Sequence, residues 1–166
     1  MIRPVRPGDA GELAALYGAN RDFLAPFEPV RPPQFFTAGG QAARLRRQLA
    51  DDTHPFAILD GDTIAGTINL FGIVRDGPES GTIGYWVDGA RNRRGLATGA
   101  VGEILEYAFG ELGLHRVEAA TLVDNVPSQR VLEKNGFERI GLARGYLRIA
   151  GDWQDFFLFQ RLANSD

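Results

Sequence analysis

The spacing of apolar and polar residues along the chain predicts an alternation of strands and helices. Short apolar runs bounded by turn residues are typical of strands, and apolar residues that recur every three or four positions are typical of helices. Their order, β-α-α-β-β-β-α-β-α-β-β, predicts a mixed α/β fold with a largely antiparallel sheet and helices on its faces. The predicted strands are 2–5, 55–59, 63–74, 82–87, 117–123, 137–149 and 153–162, and the predicted helices are 10–19, 41–51, 100–110 and 127–134.

Residues that favour turns and helix ends separate these elements. Asp9 and Thr37 precede two predicted helices, where their side-chain oxygens are suited to cap free backbone N–H groups. Asp60-Gly61-Asp62 lies between two apolar runs, where Asp-Gly is a strong hairpin signal. Asn135-Gly136 suits a helix C-terminus. The segment Phe23–Phe36 is too rich in proline for a regular helix and too aromatic for a linker, which predicts a packed loop or a short helix pair.

Composition limits the class of function. A length of 166 residues predicts one domain, 1–166, with enough apolar content for a core. The net charge of −3 does not suggest direct nucleic-acid binding and mildly favours a cationic substrate. The start of the chain lacks the apolar core of a signal peptide, and no apolar run is long enough to cross a membrane, so we expect a cytoplasmic protein without a membrane partner. The chain has no cysteine, and His54 and His115 have no third ligand in view, so no metal site is expected.

The stretch Arg91–Ala100, R-N-R-R-G-L-A-T-G-A, is the strongest indication of ligand binding in the chain. It lies between the predicted strand 82–87 and the helical run 100–110, at a strand-to-helix turn. Free N–H groups and the positive end of the helix dipole attract an anion to such a turn, and small residues let the anion approach the backbone. The turn therefore predicts a phosphate site.

Two common phosphate-binding patterns do not fit this turn. A Walker loop requires Gly-Lys followed by Ser or Thr at the start of the helix, where this chain has Arg94-Gly95-Leu96. A dinucleotide fingerprint requires G-x-G-x-x-G, and the spacing between Gly95 and Gly99 differs from it.

The turn instead resembles the pyrophosphate-binding motif Q/R-x-x-G-x-G/A of the GNAT acetyltransferases, with Asn92 in place of the usual Gln or Arg. A second segment, Asp124–Phe137, resembles the N-x-x-S-x-x-x-x-E-K-x-G-F segment of the same family. Asn125 and Ser128 match the Asn and the Ser of that pattern. The two motifs stand in the family's order, with one predicted helix and one predicted strand between them. The resemblance implies a mixed, mostly antiparallel central sheet of about seven strands, flanked by helices.

Two further segments resemble the ribosomal-protein alanine N-acetyltransferase group within that family. One is Asn20–Arg31, where Phe27 replaces the usual Trp, and the other is Gly145–Asp155, which is similar to the group's C-terminal signature. The strand Ile83–Val87 also fits the strand that lies along the pantetheine arm of the cofactor. The resemblance covers nearly the whole chain. It implies acetyl-CoA as co-substrate and direct attack by an amine within a ternary complex.

The resemblance also implies roles for individual residues. Ser128 would donate a proton or a hydrogen bond to the departing sulfur, and its position at the start of a helix equally suits a cap. Phe27, Glu28 and Tyr85 are the residues expected to contact the acceptor. The residues expected to bind acetyl-CoA, through the thioester carbonyl, the pyrophosphate or the pantetheine arm, are Trp86, Val87, Asn92, Arg93, Arg94, Gly95, Leu96, Ala97, Thr98, Gly99, Asn125 and Ser128.

A general base is not evident in the sequence. Related enzymes often have Glu where this chain has Thr82, Glu79 suits a solvated loop, and Glu28 suits either an incoming ammonium or an ion pair with Arg31. At pH 7, neutralising an α-amine with a pKa near ~8 costs about 1.4 kcal/mol, and neutralising a lysine near ~10.4 costs about 4.6 kcal/mol. Because Thr82 cannot act as a carboxylate base, an N-terminal amine is favoured over a lysine side chain as acceptor.

Three functions stay open from the sequence. The first is acetylation of a protein N-terminus, of the ribosomal-protein alanine type. The second is the same chemistry on a small amine, such as a polyamine, an antibiotic or an amino acid. The third is a CoA-binding module without catalysis. Its only support in the sequence is that Asn92 and Thr82 depart from the residues usual in the family. The sequence alone gives no oligomeric state, and a homodimer is only what related proteins often form.

Overall fold

The structure, a computed structural model, describes residues 1–163 and consists of one sheet with helices packed against it. Among the described residues, we find no helix with the length and apolar content needed to span a membrane. The strands are β1 (Ile2–Pro4), β2 (His54–Asp60), β3 (Thr63–Val74), β4 (Ser80–Val87), β5 (Arg116–Leu122), β6 (Glu138–Ile149) and β7 (Asp152–Leu162). The helices are α1 (Ala10–Ala19), α2 (Arg21–Leu24), α3 (Ala38–Ala50), α4 (Leu96–Glu106) and α5 (Val126–Lys134).

The sheet has the strand order β1-β2-β3-β4-β5-β7-β6, and only the β4–β5 pair is parallel. Every other neighbouring pair is antiparallel, which confirms the predicted mostly antiparallel sheet of seven strands. The register between β4 and β5 covers only Ser80–Thr82 against Arg116–Glu118. The rest of β4 is unpaired on that side, so the two strands diverge and the sheet opens at its centre.

The largest apolar core lies between the sheet and α4. Ile68 and Leu70 of β3 and Val101 and Ile104 of α4 are fully buried in it. The helical spacing of the apolar residues in α4 places them on one face, as the sequence predicts. Because this core fixes α4 against the centre of the sheet, the start of α4 is held beside the end of β4.

Of the two side chains predicted to cap helix N-termini, Thr37 does so and Asp9 does not. Thr37 caps α3, since its hydroxyl accepts a hydrogen bond from the Gly40 N–H at 3.0 Å. The prediction that Asp9 caps α1 is wrong. Asp9 lies in a 3-10 turn before the helix, and its carboxylate accepts hydrogen bonds from the Arg3 guanidinium at 2.7 and 2.9 Å and from the Arg6 N–H at 2.7 Å.

The proline-rich segment Phe23–Phe36 forms the end of α2 and a 3-10 turn, with an irregular stretch between them, in agreement with the predicted packed loop or short helix pair. Its last part is anchored by Phe35, whose ring meets that of Tyr17 edge-on at 4.8 Å. Its middle part contacts the β6–β7 hairpin, because the Ala150 N–H donates to the Glu28 carbonyl at 3.0 Å. The two segments that resemble the ribosomal-protein alanine group are therefore in contact.

Candidate active site

A cleft lies between the diverging parts of β4 and β5, where the sheet opens. The start of α5 and the proline-rich segment complete its walls. Among the residues that the structure describes, none of the side chains that line it is charged. The lining residues are Phe27, Ile83, Gly84, Tyr85, Ala119, Ala120, Thr121, Leu122, Asn125, Ser128 and Phe156.

The first turn of α5 presents Ser128 to this cleft. Asn125 caps the helix, since its Oδ1 accepts a hydrogen bond from the Ser128 N–H at 3.3 Å. The sequence left open whether Ser128 is itself the cap, and the structure assigns the cap to Asn125. The hydroxyl of Ser128 lies 2.8 Å from the hydroxyl of Tyr85.

Tyr85 reaches from β4 to the start of α5. Its hydroxyl lies 3.2 Å from the Ser128 carbonyl oxygen in addition to its contact with the Ser128 hydroxyl. Burial raises the pKa of Tyr85 to about 12, with the hydrogen bond to Ser128 acting in the opposite direction. The phenol is therefore neutral and able to donate a hydrogen bond at physiological pH.

Trp86 faces away from the cleft and anchors β4 on the other side of the sheet. Its indole N–H donates to the hydroxyl of Tyr17 at 3.0 Å, and the two ring centroids are 4.7 Å apart. Arg44 also donates to that hydroxyl, at 3.3 Å. The side chain of Trp86 thus fixes the strand. Neither Trp86 nor Val87 is among the residues that line the cleft, and the side chain of Val87 is buried in the core.

Gly66 is a residue of the site that sequence reasoning missed. It lies opposite Val87 in the β3–β4 ladder. A Cβ at Gly66 would lie 2.1 Å from the carbonyl oxygen of Trp86, so only glycine allows β3 to lie this close behind that peptide. A glycine within a strand pattern is the sequence signal that indicates such a close approach.

The turn before α4 leaves the first N–H groups of the helix free. Gly95 precedes the helix with a φ of +78°, in the left-handed region that favours glycine, and has no side chain to cap it. The N–H groups of Leu96, Ala97 and Thr98 have no hydrogen-bond partner within residues 1–163. Thr98 is half-buried, and the next residue, Gly99, is exposed. This arrangement suits an anion at the helix N-terminus.

The arginines of this turn differ in their contacts. Arg94 forms a forked ion pair with Asp60, with N–O distances of 2.5 and 3.1 Å. Arg91 donates to the Thr63 hydroxyl at 2.7 Å. Arg93 is exposed, and in the part of the chain that the structure describes it has neither a hydrogen bond nor an ion pair. Exposed Asn92 lies beside it.

Two of the three residues expected to contact the acceptor line the cleft. Phe27 lies at its edge and is 41% exposed, and Tyr85 lies inside it. Glu28 does not line the cleft, and its carboxylate pairs with Arg31 at 3.4 Å. Thr82 is the last residue of β4 that pairs with β5, so it lies where the two strands begin to diverge.

The chain was compared with known proteins. The family model described as "Acetyltransferase (GNAT) domain" matches residues 1–138. The probable N-acetyltransferase YjcK of Bacillus subtilis is 39% identical over 160 residues, which covers 93% of this chain and 88% of that protein.

Two solved structures have the same fold over nearly the full length. The ribosomal-protein-S5-alanine acetyltransferase of Vibrio fischeri is 32% identical with a TM-score of 0.92, over 97% of this chain and 91% of the other. RimJ of Mycobacterium smegmatis, solved in complex with CoA-disulfide, is 31% identical with a TM-score of 0.90, over 98% and 81% of the two chains. These matches confirm the resemblance to the ribosomal-protein alanine group. The chain belongs to the GNAT family and is an N-acetyltransferase.

Proposed function

We propose that this enzyme transfers the acetyl group of acetyl-CoA to the N-terminal α-amine of a cytoplasmic protein, with an acceptor of the ribosomal-protein alanine type. The main support is the similarity to the ribosomal-protein-S5-alanine acetyltransferase of Vibrio fischeri, and the uncharged lining of the cleft agrees with it. A polyamine carries several ammonium groups and needs carboxylates along its path, because an unpaired charge is costly to remove from water. A neutral α-amine beside an alanine methyl group needs only a short apolar passage.

The residues of the α4 turn fit the diphosphate of acetyl-CoA. The free N–H groups at Leu96, Ala97 and Thr98 supply donors at the positive end of the helix, and Arg93 supplies a cation that no carboxylate of residues 1–163 neutralises. Arg94 contributes indirectly, because its ion pair with Asp60 holds the turn in place. The proposed binding residues of this turn are Asn92, Arg93, Arg94, Gly95, Leu96, Ala97, Thr98 and Gly99.

The residues around the cleft fit the rest of the cofactor. The backbone at Trp86 and Val87, supported from behind by Gly66, would hold the thioester carbonyl in place. Asn125 uses its Oδ1 for the helix cap, so its side-chain NH2 group is left to donate a hydrogen bond to the pantetheine arm. Bound acetyl-CoA supplies an activated acyl group, so the chain needs only to position the amine and stabilise the leaving sulfur, for which Ser128 is the proposed donor.

The acceptor amine loses its proton without a carboxylate of the cleft. The lining described within residues 1–163 offers none, and Glu28 is paired with Arg31. An α-amine with a pKa near ~8 is already partly neutral at pH 7, so water can take the remaining proton at a cost of about 1.4 kcal/mol. A lysine side chain lacks this advantage, which favours a protein N-terminus.

Aromatic side chains at the rim of the cleft suit the first residues of a peptide. Phe27 and Phe23 lie with ring centroids 6.2 Å apart, and both are 41% exposed. Tyr146 and Phe156 lie 5.6 Å apart, and Tyr146 is 45% exposed. Because Phe27 and Phe156 both line the cleft, the two pairs continue its apolar wall toward solvent.

The test is release of the CoA thiol with four acceptors at equal concentration. They are a peptide that begins with alanine, the same peptide with a blocked N-terminus, that blocked peptide with an added internal lysine, and spermidine. We expect release with the free alanine peptide and little with the other three. A preference for spermidine or for lysine would contradict the proposed acceptor. Binding of acetyl-CoA without release for any acceptor would favour a non-catalytic module instead.

A further inference from the structure

The Tyr85–Ser128 contact joins two hydroxyl groups that each have one proton to donate. The Tyr85 oxygen lies 2.8 Å from the Ser128 hydroxyl and 3.2 Å from the Ser128 carbonyl. No other hydrogen bond to the Ser128 hydroxyl occurs within residues 1–163. The direction in which the Tyr85 proton points therefore determines where the Ser128 proton is free to point.

The geometry favours donation from Tyr85 to the Ser128 hydroxyl. That contact is the shorter of the two. The Ser128 carbonyl lies inside α5, where it is the regular acceptor for the N–H four residues later. With the Tyr85 proton directed at its oxygen, the Ser128 hydroxyl has to direct its own proton elsewhere, and both residues line the cleft.

We propose that Tyr85 is a positioning residue that presents the Ser128 proton to the leaving sulfur. This inference rests on the proposed function. In the reaction, the amine nitrogen bonds to the thioester carbon, and the carbon–sulfur bond breaks with its electron pair going to sulfur. The Ser128 O–H donates a hydrogen bond to that sulfur. The proton lost by the nitrogen goes to water, and the thiolate takes a proton from water.

The ionisation of the groups supports a hydrogen bond rather than a proton relay. Burial raises the pKa of Tyr85 to about 12, whereas an ordinary thiol has a pKa of about 8.5. A thiolate therefore does not take the proton of this phenol. The same burial keeps Tyr85 a donor throughout the pH range in which an α-amine becomes neutral.

The experiment is a double-mutant cycle with Tyr85→Phe and Ser128→Ala, measured by thiol release with the alanine peptide. Tyr85→Phe keeps the ring and removes one oxygen, and we expect kcat to fall about 10-fold, the size of one lost hydrogen bond, with an unchanged KM for acetyl-CoA. Ser128→Ala should lower kcat by at least as much. The double variant should be no slower than Ser128→Ala, because Tyr85 has nothing left to position.

The melting temperature and the acetyl-CoA affinity of each variant check that it is folded. Tyr85→Leu, which also lacks the hydroxyl, is the second variant. It should lower kcat when Ser128 is present and should have no further effect on kcat when combined with Ser128→Ala. Tyr107→Phe is the matched control, since it removes a hydroxyl that contacts His54 at 2.7 Å outside the cleft lining, and its kcat should be unchanged.

Losses that multiply in the double variant would overturn the role of Tyr85, since a residue that only shapes the cleft acts independently of the Ser128 hydroxyl. A Tyr85→Phe or Ser128→Ala enzyme as fast as the unmodified protein would also overturn it. If the unmodified protein released no thiol with any acceptor, the proposed function itself would fail, and this role with it.

Discussion

Arg93 and Arg94 are adjacent in the turn before α4, yet only one of them has a free charge. Asp60 neutralises Arg94 through two hydrogen bonds, whereas Arg93 is exposed with a φ of +63° and no partner in the described chain. A φ in the left-handed region is uncommon for an arginine and is itself consistent with a functional turn. The sequence motif does not distinguish the two, because they are consecutive arginines of the same turn.

Arg93→Ala should weaken binding of acetyl-CoA about 5-fold, because it removes a charge-assisted contact to phosphate, and it should leave the melting temperature unchanged. Arg94→Ala is the matched control and should mainly lower the melting temperature, since it breaks the ion pair that ties the turn to β2. Calorimetric titration measures the affinity for acetyl-CoA, and a thermal melt measures the stability of each variant. A larger loss of affinity in Arg94→Ala would show that Arg94 leaves Asp60 when the cofactor binds.

At the scale of elements, short ladders and close approaches set the shape of the site. β4 pairs with β5 over three residues and then lies against β3 alone, so its position near the cleft depends on the β3–β4 ladder. Gly66 permits that ladder to pass directly behind Trp86. At the edge of the sheet, the three-residue strand β1 is tied to the start of α1 through Asp9.

Gly66→Ala should lower the free energy of unfolding by about 2 kcal/mol, because the new Cβ meets a backbone oxygen that cannot move without shifting β4. It should also lower kcat by displacing the peptide at Trp86. Gly18→Ala in α1 is the control, since its Cβ would meet nothing within 4 Å, and it should be neutral or slightly stabilising. Urea unfolding and thiol release measure the two effects, and an unaffected Gly66→Ala enzyme would contradict this account of β4.

Asp9 should make the stability of the β1–α1 junction depend on pH. The hydrogen bond from Arg3 holds the pKa of the Asp9 carboxyl below its ordinary value, assisted by the Arg6 N–H and opposed by burial. A lowered folded-state pKa contributes stability that is present above the unfolded value near ~3.9 and is lost as the pH falls through the folded value.

Asp9→Asn should therefore lower the free energy of unfolding by about 2 kcal/mol at neutral pH, and the difference should shrink in strong acid. Urea unfolding at pH 7 and pH 3 measures it. Asp62→Asn, in the exposed β2–β3 turn, is the control and should have little effect at either pH. A constant difference between the two pH values would mean that the charge of Asp9 is not what stabilises the junction.

At the scale of the whole molecule, segments from both ends of the chain meet at the cleft. The proline-rich segment near the N-terminus supplies Phe27, and the β6–β7 hairpin near the C-terminus supplies Phe156. The hydrogen bond between Ala150 and Glu28 holds the two segments together beside it. The wall proposed for the acceptor thus depends on the packing of these two distant segments against each other.

Acetyl-CoA should stabilise the folded protein as a whole. At 100 times its Kd, a ligand that binds only the folded state adds about 2.7 kcal/mol, which for a chain of this size raises the melting temperature by roughly 5–10 °C. A thermal melt with and without acetyl-CoA measures the shift, and Arg93→Ala should reduce it. An equal shift with inorganic pyrophosphate alone would mean that only the α4 turn contributes to binding.

Contiguous features of the sequence were enough to determine the elements and the family. The bounds of α1 and β3, the hairpin after Asp60 and the turn before α4 each depend on a few neighbouring residues, and local preferences dominate there. Asp9 marks the limit of this reasoning, because an aspartate before a helix has the same local signature whether it caps the helix or pairs with Arg3.

Only the tertiary structure decided which of the motif residues lie in contact. Tyr85 and Ser128 are 43 positions apart, and Arg94 and Asp60 are 34 apart, so no local pattern relates them. Their contacts depend on the strand order, on where β4 and β5 diverge, and on the core that positions α4. The sequence by itself therefore determined the family and predicted the donor site, while the arginine without a partner in the described chain, the uncharged lining of the cleft and the contact of Ser128 with Tyr85 follow from packing between distant segments.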